Sequence, residues 1–182
     1  MKRARFIKSS LFGIAVFTVT PQKYFLSDNA LQLVKLKVNE HIRHGSYGDE
    51  FIENLLPGGT GIRLRVDRFL NPDGDMDLYQ INNSGRKTHV AVQGKQILID
   101  NLSGRHKIEP YPEEVDTKFD SNLRFCRVES RSIALGEQQH LLVLTGSIEC
   151  YSRILGPGSC FFSSGISSLQ TSGSTSYLIF SS

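Results

Sequence analysis

The chain has 182 residues with 39% hydrophobic content, enough to build a full core without disulfide or metal staples. Five of its 21 basic residues, Lys2, Arg3, Arg5, Lys8 and Lys23, lie in residues 1–27, with none of its 18 acidic ones, which leaves 16 against 18 elsewhere. The formal charge of +3 therefore belongs to an N-terminal arm, which disfavours a nucleic-acid-binding surface spread over the main domain.

The arm, MKRARFIKSSLFGIAVFTVTP, admits three readings. Its basic start and apolar run resemble a secretory signal, without a small-x-small cleavage site; its Ser content and lack of acids fit a mitochondrial presequence. Ile14, Val16, Phe17 and Val19 before Pro21 fit a first β-strand instead. The run is too short to span a bilayer as a helix, so no transmembrane segment is expected. Residues 28–60 read as a helical or mixed lead-in. Ser27-Asp28-Asn29 offers helix-capping chemistry before Leu31, Val34, Val38 and Ile42 at helical spacing. The same stretch alternates Val34, Leu36 and Val38 with Lys35 and Lys37, which is a strand pattern. A second short helix is expected over Asp49 to Leu56, stopped by Pro57-Gly58-Gly59.

Residues 61–182 read as one antiparallel β domain. Ile62, Leu64 and Val66 alternate with Arg63, Arg65 and Asp67, one face buried and one wet. Arg63, Arg65 and Arg68 make a basic stripe on that strand. Turns are expected at NPDGD, at Asn82 to Gly85, and at Gln93-Gly94 within HVAVQGKQILID. Pro110 and Pro112 mark a surface crossing. The stretch Leu135 to Phe162 reads as a strand, a tight turn at Thr145-Gly146, a return strand, a glycine turn at Gly156-Pro157-Gly158 and another short strand. Ser163 to Ser176 reads as loops around one short strand, before the closing strand STSYLIF. His89 and His140 each begin an apolar strand that enters a glycine turn. The fold class expected is mainly β, an antiparallel jelly roll or β-sandwich, with one or two short helices near residues 28–56.

Cys126, Cys150 and Cys160 sit among apolar residues without metal-ligand spacing, so they read as buried core thiols in a reducing, cytoplasmic setting. A secreted or organellar location follows only if residues 1–27 are a targeting segment. Asn71, Asp73, Asp75 and Asp77 alternate as in a calcium loop, but the glycine slot falls on Leu78 and position twelve on Ser84. A solvated turn accounts for them. His41 and His44 could share a helical face without a third ligand nearby. No Gly-x-Ser-x-Gly, Cys–His pair or phosphate loop is present.

The stretch VLTGSIECYSRILGPGSCFFSSG with LQTSGSTSYLIF resembles the C-terminal half of cupin domains, and Tyr111-Pro112-Glu113-Glu114 resembles the lead-in of the class I phosphomannose isomerase jelly roll. The resemblance covers the last 60 to 70 residues or so and implies a jelly roll of the cupin type. Its metal ligands do not carry over. The Glu position falls on Gln139, the two His positions near Ser132 or Ile133 and Ala134 or Leu135, and the later His on Phe161. Amide, methyl and phenyl groups do not replace such ligands, so no metal and no cofactor is expected.

Two functions follow as expectations. The first is a non-enzymatic jelly-roll assembly protein that forms homo-oligomers, with the N-terminal arm available to a protein partner. The second is a metal-free cupin that binds or transforms a small polar ligand such as a sugar derivative. Its barrel mouth would be lined by Gln139, His140 and Cys160, with no catalytic residue assigned.

Overall fold

A computed structural model describes residues 24–25, 30–42, 54–58, 61–110 and 114–181, and every regular element among them is a β-strand. The chain opens with β1 (Tyr24–Phe25) and β2 (Leu31–Val34), then passes to β3 (Val38–Ile42) and β4 (Asn54–Leu55). A meander follows: β5 (Ile62–Leu70), β6 (Met76–Asn83), β7 (Arg86–Gln93), β8 (Gln96–Asn101) and β9 (Gly104–Ile108). Next come β10 (Val115–Lys118), β11 (Leu123–Glu129), β12 (Ser132–Leu135) and the long β13 (Gln139–Cys150). The last strands are β14 (Arg153–Leu155), β15 (Cys160–Ser163) and β16 (Ser167–Ser181).

These strands form two sheets. The seven-stranded one runs β3-β5-β6-β7-β8-β9 with β4 also on β5; the nine-stranded one runs β1-β2-β15-β13-β16-β11-β10, with β12 on β16 and β14 on β13. All pairs are antiparallel except β3 with β5. The two sheets face each other across one apolar core, to which Ile62, Leu64, Val66, Tyr79 and Ile99 contribute from one side and Phe125, Leu142, Leu144, Cys160 and Leu178 from the other. The protein is a β-sandwich.

A second apolar cluster lies on the other face of the nine-stranded sheet and includes Cys126, Leu141, Val143, Ile148, Phe161 and Tyr177. A sheet with nothing packed on its outer face leaves such residues wet, yet Leu141, Val143 and Ile148 are all fully buried. Ile133 and Leu135 of β12 and Leu31 of β2 belong to this cluster, and Leu155 of β14 packs against it. Pairing between β13 and β16 breaks register at Val143/Thr145 and again at Thr145/Ser147, and residues from both sides of these bulges share the cluster. Bulges bend a strand and strengthen its twist.

Several expectations are corrected here. The helix after Ser27 does not form among the described residues: Leu31–Val34 is strand β2, paired with β15, and Val38–Ile42 is β3. The alternation of Val34, Leu36 and Val38 prevails because the β15 edge and β5 offer ladder partners, which a helix would forgo. For the second helix, Asn54–Leu55 is strand β4 on β5, and residues 49–53 lie outside the described residues, as do residues 1–23 and His44. Thr145-Gly146 is a bulge inside β13 and not a reversal; the chain turns at Tyr151-Ser152, both with positive φ. Residues 167–176 belong to one continuous strand, β16. The turns at residues 72–73, 84–85 and 94–95 fall where the sequence places them.

Candidate binding site at one end of the sandwich

The site builds from two rows of paired residues. In the nine-stranded sheet Arg127 stands opposite Ser176, and Ser176 opposite Thr145. In the seven-stranded sheet Arg68 stands opposite Asp77, and Asp77 opposite Val92. These rows face each other where the apolar core gives out, and between them lies a cavity of about 780 Å³. The volume is that of a small-molecule site, about 300–1,000 Å³. Apolar walls come from Val92, Leu144, Pro110 and Pro157, while Arg68, Asp75, Asp77, Lys95, Arg127 and Glu129 bring charge. A second recess of about 470 Å³, bordered by Val34, Leu36, Tyr79 and Gly158, adjoins it across Arg68 and Pro157.

Arg68 shares the inward phase of Leu64 and Val66, so the basic stripe read from the sequence is split between two faces. Its guanidinium donates to both Asp77 oxygens, at 2.8 and 3.0 Å, and the Tyr79 hydroxyl donates to Asp77 Oδ2 at 3.5 Å. Burial pushes the Tyr79 phenol well above its usual range, with the Asp77 charge adding to it. The hydroxyl therefore stays protonated and available as a donor.

Arg127 is 7% exposed. Its Nε–H donates to Ser176 Oγ at 3.0 Å and its Nη1 to the Glu109 carbonyl at 2.5 Å. Burial holds the guanidinium below its ordinary value, yet an arginine keeps its proton at any physiological pH.

Gly146 at the bulge completes the wall, and Thr175 holds the bulge together. The Thr175 hydroxyl donates to the Ser147 carbonyl at 2.9 Å and accepts from the Ser147 amide at 3.2 Å, replacing ladder bonds that the register shift removes. Ser147 itself returns to the ladder opposite Ser172.

The three ligand residues expected from the sequence lie elsewhere. Alternation along β13 puts His140 on the inter-sheet face with Leu142 and Leu144, and Gln139 on the outer face with Leu141 and Val143. Gln139 Oε1 accepts from the Gly136 amide at 2.8 Å, and its side chain borders a smaller polar recess beside Asp116 and Arg124. There Arg124 donates bidentately to Asp116 and holds that carboxyl below the usual carboxylate range.

His140 is fully buried between the Phe162 and Phe180 rings, 5.0 and 5.2 Å between centroids. Its Nε2 lies 2.8 Å from the Pro57 carbonyl, which fixes the Nε2–H tautomer as donor. Burial pushes its pKa down to about 4. Cys160 is fully buried in the inter-sheet core, and burial raises its thiol to about 12. Neither residue borders the cavity: from His140 it lies four to five residues further along β13, about 15 Å away, and Cys160, opposite Leu142, is packed in the core beside it. Phe161, at the later cupin ligand position, is fully buried in the outer cluster. Among the described residues no group of three or more His, Cys, Asp and Glu is placed to hold a metal ion, and no helix is long and apolar enough to cross a membrane.

Sequence reasoning passed over Arg127, although its signal is plain. In LRFCRV it stands two and four residues from Phe125 and Leu123, in phase with the core. A cation in that phase is either paired in the interior or lines a cavity. Fold and cavity together define a β-sandwich with a charged recess at one end. No protein-family model matches the chain, and no curated protein matches it.

Proposed function

We propose that this protein is a binding module that takes a small polar molecule into the cavity between the Arg127–Ser176–Thr145 and Arg68–Asp77–Val92 rows. The observation that carries this is the cavity itself: a volume suited to a small molecule, apolar walls, and a few convergent polar groups held by sheet hydrogen bonds. The site rests on rigid strands rather than on long loops, which favours a preformed pocket. The cupin resemblance supports ligand binding in a general way. The jelly-roll order is the less supported part of it, since β5 to β9 run as a meander within one sheet. Screening fragments by ¹H–¹³C methyl and amide NMR should give shifts concentrated at Val92, Leu144, Gly94 and Gly146. Shifts only around the recess beside Gln139, or none at all, would remove this reading.

A second reading, assembly into a homo-oligomer, is favoured by the β13–β14 hairpin. Tyr151 and Ile154 there are 54% and 71% exposed, and β14 pairs only with β13 among the described residues. An edge with apolar side chains is a surface on which a second copy can add a strand. Light scattering behind size exclusion should then show a dimer or larger species that Ile154→Lys dissociates; a strict monomer at high concentration would exclude it.

A further inference from the structure

Three cations line the cavity, and they differ in how they are compensated. Arg68 is bonded to Asp77 on both carboxylate oxygens, and Lys95 stands exposed at the rim. Arg127 is the buried one, and its two bonds go to neutral oxygens, the Ser176 hydroxyl and the Glu109 carbonyl. Among the described residues no carboxylate lies within ion-pair distance of it, Glu129 two residues along included. Its Nη2 has no acceptor among those residues, and the side chain lines the cavity.

A buried guanidinium without a counter-charge is costly, and the cost falls when an anion binds to it. The Ser176 and Glu109 bonds through Nε and Nη1 pin the guanidinium plane and leave the Nη2 N–H groups to donate to an oxyanion. We infer that Arg127 anchors the head group of the ligand, and that this ligand is a small monocarboxylic acid with an apolar body. The charge around the guanidinium decides for a carboxylate over a phosphate. Asp75, Asp77 and Glu129 border the same space, so a multiply charged phosphate would meet more repulsion than a single carboxylate. Val92, Leu144, Pro110 and Pro157 supply the surface for an apolar body behind the head group.

The inference rests on the cavity being a binding site, and matched probes separate the two claims. The full chain is titrated with sodium benzoate and sodium hexanoate, and in parallel with benzamide and hexanamide, following thermal stability and the Arg127 Nε–H resonance. The acids should raise the melting temperature and move that resonance, with the amides weaker about tenfold or more, the scale of one charge-assisted hydrogen bond. Arg127→Met should bring acid binding down to the level of the amides. Acids and amides binding equally well would overturn the carboxylate inference and leave the cavity reading standing; no effect from either pair would overturn both. Should Arg127→Met fail to fold, the parent resonance still decides, because a signal unmoved by benzoate overturns the assignment.

Discussion

A Gly146→Val variant is expected to melt about 10 °C below the parent protein, a loss of about 3 kcal/mol or more at roughly 2–4 °C per kcal/mol for a domain of this size. Two separate costs make up that figure. Gly146 has a φ of +76°, where a β-branched residue is strained by about 1–3 kcal/mol. A Cβ there would also overlap the Ser174 carbonyl oxygen and stand 2.7 Å from Thr175 Oγ1 and 2.8 Å from Thr175 Cα. Backbone cannot step aside cheaply, and overpacking of this kind costs about 1–3 kcal/mol more. The displaced Thr175 hydroxyl is the group that satisfies Ser147 across the bulge, so the damage spreads to the paired strand. Gly94→Ala is the control. Gly94 has a φ of +57° but nothing within 4 Å of a Cβ, so it isolates the backbone term, about 1 kcal/mol. Thermal or urea unfolding of the two variants should therefore separate widely. Equal losses would show that the close approach at Gly146 carries no energy and that the bulge is misassigned.

The bulge also marks how far the sequence could be read. Period-two alternation and glycine turns show most of the β5–β9 meander, because Gly94 and Ser84-Gly85 are ordinary turn chemistry between apolar runs. Gly146 gives the same local signal as a turn glycine. What distinguishes it is the partner strand, in which Thr175 patches the gap, and no local pattern in β13 contains that information. The true reversal at Tyr151-Ser152 uses two residues of positive φ that sequence rules do not associate with a tight hairpin turn. Strand β16 hides similarly. Apart from Leu169 its first half is Ser, Gln, Thr and Gly, and it persists as a strand because β12, β11 and β13 supply its ladder bonds. Around residues 31–42 two periodicities compete, and only the availability of edges on β15 and β5 decides between them. The candidate site was the least legible part. A barrel mouth of the cupin type leads to Gln139, His140 and Cys160, whereas the cavity assembles from rows that meet only after both sheets form.

Stability is expected to fall by about 3 kcal/mol as pH drops from 6.5 to 4, through His140 alone. In the unfolded chain this imidazole takes its proton near 6.5, and in the folded protein only near pH 4. Between those values the unfolded state binds the extra proton, so unfolding becomes easier with every step toward acid; above about 6.5 both states are neutral and the contribution is constant. Burial is the principal cause. The ring lies between Phe162 and Phe180, and the groups it contacts carry no charge that could stabilise an imidazolium. Its bond to the Pro57 carbonyl ties the segment after β4 to the nine-stranded sheet, 83 residues away in sequence. Protonation therefore works against the closure of one end of the sandwich while leaving the cavity rows at the other end unchanged. Urea unfolding of the parent and of His140→Gln across this range tests it, since the remaining groups titrate in both proteins and largely cancel in the difference. The parent should lose its advantage over the variant as pH falls toward 4. A difference independent of pH would mean that His140 already reaches solvent or an acidic partner in the folded state, and that the Pro57 staple is not what closes this end.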